Sequence, residues 1–356
     1  MMKWHRSTIG KIVAMNRILM NRILTVLLAL PALVLAQDDF RLGNRTIPSG
    51  TMQSFELRAD TASVPITVVN GARPGPVLTI AAGVHGDEYP PILGLQRLRT
   101  EVRPADLSGT LVLVHLANAP GFLGRTIARN PVDGKNLNRI FPGNADGTLT
   151  EKIAHLLTTE VVKRTDYLVD MHAGSANEAL WPHVYSPFVG NDDLDRRTLD
   201  LARAARFRNI VPYGDRPRDP EHSISLPNTA MTRGKPGITI ECGQLGQRGE
   251  PCVIRLLDAA RNILRHLKML PGEVEQTDGA ILHRKLHYLA SPATGMLFPV
   301  ATAGEVVEPG ALLAYVSDFF GNRVAEIRAP VRGVVLVIYD TPPVNKDEEA
   351  ITLAEW

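Results

Sequence analysis

The sequence predicts an α/β fold: a mostly parallel mixed sheet flanked by helices, followed by a small all-β domain. Three patterns carry that expectation. Continuous apolar runs, suited to strands buried on both faces, recur at "PVLTIAAGV" (76–84), "GTLVLVHLANAPG" (109–121), "TDYLVDMHAG" (165–174) and "GKPGITIECG" (234–243). Helical spacing fills the stretches between them, and strands alternating with helices imply a parallel arrangement. Near residue 279 the helical spacing stops, and short runs separated by Gly and Pro turns take over.

Each element has its own warrant. Residues 37–50 are polar, end in "PSG" and read as a leader segment; "SVPITVVNG" reads as a strand and a turn. "PPILGLQRLRTEV" has prolines in its first turn, where a missing N–H costs nothing. "TLTEKIAHLLTTEVVKR" is amphipathic, with Thr148 or Thr150 as its cap. "DLDRRTLDLARAARF" and "CVIRLLDAARNILRHLKML" are helical. "GDRPRDPEHSISLPNTA" is polar and Pro-rich and reads as a surface loop near the rim of the sheet, where it is expected to shape specificity. The domains expected are a signal peptide over 1–36, an α/β domain over 37–279 and a β domain over 280–356.

Composition excludes some roles. Among 356 residues, 39 basic and 37 acidic side chains give a net charge of +2, which offers no electrostatic reason to bind nucleic acid or an anionic membrane. Six cationic or histidine residues up to Arg22 precede the apolar stretch "ILTVLLALPALVLA" (23–36), the layout of a cleaved signal peptide. That stretch is shorter than the roughly 20 residues that span a bilayer, and Pro31 interrupts it, so no span is expected after cleavage. The tandem "MNRIL" at 15–24 leaves Met15 or Met20 as alternative starts. Export, to the periplasm, is the expected destination. There an oxidising milieu permits Cys242 and Cys252 to pair, although spacing alone does not decide it.

Three apolar runs end in ionisable groups: "HGDE" (85–88), "DMHAG" (170–174) and "ECG" (241–243). Strand C-termini of open α/β sheets form the ligand crevice, so His85, Glu88, His172 and Glu241 are expected on one rim. His85 and Glu88, three apart, can face one point. Alone, each of these residues has an ordinary reading, as a surface pair, a structural histidine or a solvated turn acid. Together, two histidines and a carboxylate are the ligand set of catalytic zinc, which keeps a position open. Asp87 reads as a turn residue or an outer partner of a ligand.

"GVHGDE", "DGKNLNRIFPG", "DMHAG" and "ITIECGQLG" occur in that order and resemble the succinylglutamate desuccinylase/aspartoacylase family, of zinc carboxypeptidase-like fold; the C-terminal β domain is similar to that family's second domain. The resemblance implies one Zn²⁺ per chain on His85, Glu88 and His172, with Glu241 as the catalytic acid–base. It implies that Asn138 and Arg139 hold a substrate carboxylate, by hydrogen bonds that a guanidinium can make in parallel. It also implies an arginine upstream that polarises the scissile carbonyl; Arg125 fits the pattern better than Arg129.

"GSANEALWPHVYSP" (174–187) is expected along the pocket, with packing the ordinary role of His183 and Tyr185; His222 is left out, three ligands being supplied. The C-terminal run also resembles biotinyl and lipoyl carrier domains, but the turn "SDFFGNRVAE" lacks the lysine they need, so a wall of the active-site entrance is expected instead. The implied protein is an exported zinc amidohydrolase acting on a small carboxylated amide, an N-acyl amino acid or a similar substrate such as a short peptide with a free C-terminal carboxylate. The alternatives are a periplasmic metallocarboxypeptidase and a catalytically silent carboxylate binder. A homo-oligomer is left open.

Overall fold

In the nine-stranded main sheet the predicted apolar runs form the central strands. The computed structural model describes residues 37–356; the signal peptide expected over 1–36 lies outside the described residues. In chain order the first twelve strands are β1 (Phe40–Leu42), β2 (Arg45–Ile47), β3 (Thr51–Ala59), β4 (Ala62–Asn70), β5 (Arg73–Ala82), β6 (Ser108–Val114), β7 (Tyr167–His172), β8 (Glu178–Leu180), β9 (His183–Pro187), β10 (Asn209–Tyr213), β11 (Gly237–Glu241) and β12 (Ile281–Leu282). The main sheet runs β12-β10-β9-β11-β7-β5-β6-β4-β3. The steps between β11, β7, β5 and β6 are parallel, as are those joining β9, β10 and β12. The β9–β11, β4–β6 and β3–β4 pairings are antiparallel, which makes the sheet mixed.

Helices cover both faces because successive strand residues point opposite ways. On one face Leu78, Ile80, Leu111, Leu113, Ile238 and Ile240 pack with helices α1 (Tyr89–Glu101) and, further along the chain, 192–204 and 250–266. On the other, Ala81, Val112, Val114 and Leu168 meet Ile153, Ala154 and Leu157. After α2 (Ala119–Gly124), the chain forms α3 (Leu149–Leu156), α4 (Asp192–Ala204), α5 (Leu226–Met231) and α6 (Glu250–His266). Thr148 caps α3, and its N–H donates to the Glu151 carboxylate at 2.7 Å.

Two parts differ from the sequence reading. The stretch read as a leader holds an antiparallel hairpin, β1 with β2, and sinks Leu42 and Ile47 fully into the second core. Two apolar residues five apart in a polar stretch carry no periodicity, yet suffice to dock a hairpin. The loop read at 214–230 also contains α5, whose Ser225 side chain accepts from Asn228 N as a cap.

The C-terminal strands are β13 (Leu286–Ala290), β14 (Gly295–Pro299), β15 (Val306–Val307), β16 (Leu312–Ser317), β17 (Arg323–Arg328), β18 (Gly333–Tyr339), β19 (Pro343–Val344) and β20 (Glu349–Glu355). They form two antiparallel sheets, β13-β20-β18-β15 and β17-β16-β14-β19, around a core that includes Leu313, Val335, Ile351 and Leu353. Two connections bind them to the main sheet's surroundings. β8 pairs antiparallel with β18, Leu180 opposite Val337, and Val334, Leu336 and Ala354 pack on Val211 of β10. The β16–β17 hairpin ends in exposed Phe319 and Phe320 rather than a lysine.

Candidate active site

The strand ends of β5, β7 and β11 converge, as the sheet topology requires. Past the end of β5 the chain turns at Gly83, in the left-handed region, and presents His85. Gly86 sits against α2, where an added Cβ would overlap the Phe122 nitrogen, so the turn needs glycine. Glu88 then occupies the N-cap of α1, where the helix terminus favours its negative charge.

His85, Glu88 and His172 form a cluster whose ligand atoms all lie within 4.8 Å of one another. Glu88 Oε1 is 2.7 Å from His85 Nδ1, and Glu88 Oε2 is 2.8 Å from His172 Nδ1. Each ring's other nitrogen has an outer acceptor. His85 Nε2 lies 3.1 Å from Asn136 Oδ1, and His172 Nε2 lies 3.0 Å from Asp170 Oδ2. Those acceptors can take an Nε2–H from each ring, which would leave both Nδ1 lone pairs facing inward once a metal replaced the protons shared with Glu88.

The electrostatics agree with that donor set. Burial resists charge on Glu88, but the two imidazoles together outweigh it and hold the carboxyl down at about 2. Burial also resists charge on His172, and Asp170 and Glu88 overcome it, lifting the imidazole well above its ordinary range. The pocket therefore favours a cation at these atoms, and two histidines with one carboxylate fit a divalent metal of the zinc type.

Glu241 ends β11 in register with His172 on β7 and lines the same cavity. Burial raises its pKa well above the usual carboxylate range; His172 opposes this, and Glu88, Glu178 and Asp170 add to it. Asp87, 3 % exposed, ties two loops together: Oδ1 accepts from Ala128 N (3.3 Å) and Oδ2 from Ala176 N (3.0 Å).

The cavity holds about 430 Å³ and has a second wall beyond the cluster. Asn138 and Arg139 stand on it, in a turn that Asn136 organises by accepting Asn138 N at 2.8 Å. Asn138 Oδ1 is buried and lacks a protein partner. Arg139 is accessible from the mouth of the cavity; partial burial, then the like charge of Arg216, pulls its pKa down. Arg216, Tyr213, Tyr288 and Glu349 complete this wall. Glu349 accepts from Thr352 Oγ1 at 2.6 Å, and burial raises its pKa against the pull of Arg139 and Arg216.

The two candidate upstream arginines separate. Arg125 closes α2 in the left-handed region with its side chain in solvent, outside the cavity lining. Arg129 lines the cavity, bridges by its backbone to Asn136, and donates Nη1 to Gly134 O at 2.9 Å. His222 is exposed and paired with Asp219 rather than with the cluster. Of the 174–187 stretch, Tyr185 reaches the cavity, whereas His183 is buried with Nδ1 on Trp181 O. Sequence reasoning missed Asp170 and Asn136 as outer partners, and Arg216, Tyr213, Tyr288 and Glu349 as wall. Asp170 had a signal, since residues two apart in a strand share a face. Cys242 and Cys252 are disulfide-bonded, their Cα atoms 5.5 Å apart.

Comparison with known proteins places this geometry. The family model of the succinylglutamate desuccinylase/aspartoacylase catalytic domain matches residues 74–267. An N-alpha-acetyl-L-2,4-diaminobutyric acid deacetylase of Halomonas elongata is 30% identical over 299 residues, 82% of this chain and 85% of its own. The crystal structure of a succinylglutamate desuccinylase/aspartoacylase from Rhodobacter sphaeroides superimposes with a TM-score of 0.77 at 25% identity, over 89% of this chain and 99% of that one. The product-bound ectoine utilization protein EutE from Ruegeria pomeroyi gives 0.77 at 25% identity, over 87% and 98%.

Proposed function

The chain belongs to the succinylglutamate desuccinylase/aspartoacylase family, and we propose that it is an exported zinc-dependent hydrolase that cleaves the amide bond of an N-acyl amino acid. One observation carries the reading: the His85–Glu88–His172 cluster shares a cavity with Glu241 and with the Asn138–Arg139 turn. A metal site, a proton carrier and a carboxylate grip are the three parts that hydrolysis of such a substrate needs.

Zinc held by His85, Glu88 and His172 would supply Lewis acidity, polarising the scissile carbonyl and acidifying water. The chain's own groups do the rest. Asp170 and Asn136 fix the two imidazoles in one tautomer. The Glu241 carboxylate takes the proton of the attacking water and hands it to the departing nitrogen. Its raised pKa suits a group that must hold that proton between the two transfers. Arg129 is assigned the developing negative charge on the carbonyl oxygen, in place of Arg125, because it stands on the cavity wall. Arg139 and Asn138 grip the carboxylate of the leaving amino acid.

The deacetylase relative supports a short acyl group, and a cavity of about 430 Å³ suits a single acyl amino acid better than a longer peptide. The amino-terminal pattern supports export, and a disulfide beside the site agrees with an oxidising compartment. The test is a hydrolysis panel on zinc-loaded protein: N-acetyl and N-succinyl amino acids, N-acetyl-2,4-diaminobutyrate among them, against dipeptides. Acyl amino acids should lead by at least ~10-fold in kcat/KM, a difference of about 1.4 kcal/mol. Faster dipeptide cleavage would make the protein a carboxypeptidase. Tight binding without turnover would make it a silent binder.

A further inference from the structure

The catalytic carboxylate is followed directly by a disulfide. Glu241 is the last residue of β11; Cys242 comes next, is fully buried, and its N–H donates to His172 O at 3.0 Å. Its partner Cys252 lies in the first turn of α6, ten residues on. Residues 243–249, between Cys242 and the start of α6, form a loop with little regular structure of its own. Gly243, Leu245, Gly246 and Gly249 all have positive φ, and Leu245 is not a glycine.

That loop underlies the metal cluster. Gly174 N donates to Gly243 O (2.9 Å), Gly246 N to Gly174 O (3.4 Å) and Leu245 N to Glu178 O (2.8 Å). The segment so gripped begins with Ala173, whose N–H donates to Glu88 Oε2 at 3.1 Å. It also holds Ala176, whose N–H donates to Asp87. Gly243 is pressed between Pro90 and Ala173, where a side chain would overlap both. Loosening residues 243–249 therefore loosens the Glu241 strand end and the floor beneath Glu88 together.

We infer that the Cys242–Cys252 disulfide is a positioning element for the reaction: by tying the strand end to the N-terminus of α6, it holds Glu241 against the cluster. The inference rests on the proposed hydrolase reading for its kinetic consequence. The bond acts through Glu241, so its loss should lower kcat while leaving zinc and the carboxylate grip in place. A hydrophobic core on that face of the sheet, with Val253, Leu256 and Ile263 of α6 fully buried, keeps the helix docked without the bond.

The test compares zinc-loaded protein before and after treatment with a water-soluble trialkylphosphine, which does not compete for zinc as a dithiol does. Two electrons from the phosphine and two protons convert the bond to two thiols, and the phosphine becomes its oxide with oxygen from water. The expected result is a fall in kcat of about tenfold to 10²-fold, with KM within about twofold, zinc per chain unchanged and two titratable thiols; reoxidation should restore the rate. The Cys242→Ala/Cys252→Ala variant should match the reduced enzyme and ignore the phosphine. Cys252→Ala alone should do the same while leaving Cys242 beside Glu241. Full kcat in protein with two free thiols would overturn the inference. So would loss of rate in step with loss of zinc or of folded protein, which marks a purely structural bond. Amide hydrogen exchange over 241–249 and 174–178 gives an answer independent of turnover. Faster exchange on reduction in protein that hydrolyses nothing would keep the positioning role and reject the hydrolase reading. Unchanged exchange in an active enzyme would do the reverse.

Discussion

The two walls of the cavity are built by different means. On the proposed metal side, His85, Glu88, His172 and Glu241 come from the ends of neighbouring strands, and the two histidines and Glu88 are fixed by one another and by Asn136 and Asp170. On the carboxylate side, Arg139, Arg216, Tyr288 and Glu349 come from four separate stretches, one of them in the last strand, and meet only when the C-terminal sheet docks. The metal wall is dense with opposite charges in contact. The other wall holds two guanidiniums beside one carboxylate with no close ion pair between them. A rigid wall suits chemistry, which is sensitive to fractions of an ångström. A wall with unspent hydrogen-bonding capacity suits a ligand that arrives with its own charge.

That contrast implies a hierarchy of effects. The largest belongs to a metal ligand. His172→Ala should lose both zinc, by elemental analysis, and activity, to background, because the cluster then has two ligands and Asp170 faces a void. Full activity in protein free of metal would break the assignment of this wall.

Glu241→Gln comes next. It keeps shape and zinc and removes the proton carrier, so kcat should fall by ~10²-fold or more. A near-normal rate would leave Glu241 a structural residue and move the proton transfer elsewhere, with half-buried Glu178 another acid in the cavity.

The difference between the walls is also the difference in what the sequence discloses. The metal wall was legible because a buried strand is a recognisable apolar run, and a polar residue at its end has one direction to face. Asp170 was equally legible in principle, being two residues before His172 on the same strand, but inside an apolar run it reads as an interruption. Asn136 and Asn138 lie in a turn whose direction depends on the contact of Asn136 with His85 and on its bridge to Arg129, beside Ala128, whose N–H donates to Asp87. The loop carrying Arg216 reads from sequence as lying near the rim, but neither Arg216 nor Glu349 could be singled out as a wall residue. Nothing local to "GDRPRD" or "KDEEA" tells which side chain faces the cavity; β8 pairing with β18 brings the C-terminal strands to it, and a three-residue strand leaves no periodicity to read. The β1–β2 hairpin escaped for the same reason.

On the second wall the expected effects are smaller. Arg129→Ala should cost about 10²-fold in kcat, the usual price of one donor to a developing oxyanion. Arg139→Lys keeps charge and loses the fork, so kcat/KM should fall about tenfold, in line with roughly 1.5–3 kcal/mol for a charged hydrogen bond. Converting the substrate's carboxylate to an amide should hurt wild type severely and this variant much less. Equal losses in both proteins would show that the carboxylate is read by another group, with Arg216 the nearest alternative.

The smallest effect is expected at Arg125, and it sharpens the comparison most. Arg125 and Arg129 are four residues apart in one loop, carry the same charge, and by sequence pattern Arg125 fits the carbonyl-polarising role better. Their surroundings differ. Arg125 spends its backbone terminating α2 at φ 54, and its side chain extends into solvent away from the cavity lining. Arg129 follows Ala128, whose N–H is held by Asp87, and is bridged to Asn136, so the loop turns inward at that residue. A solvent-exposed arginine without a charged partner contributes within about 0.5 kcal/mol to stability, and Ala there tolerates αL poorly, so Arg125→Gly is the cleaner probe. Arg125→Gly should therefore leave kcat within about twofold of wild type, measured at saturating substrate beside Arg129→Ala. If Arg125→Gly instead falls by the larger factor while Arg129→Ala stays near wild type, the loop closes over the substrate in a different register. The wall would then be assembled by binding instead of standing ready before it.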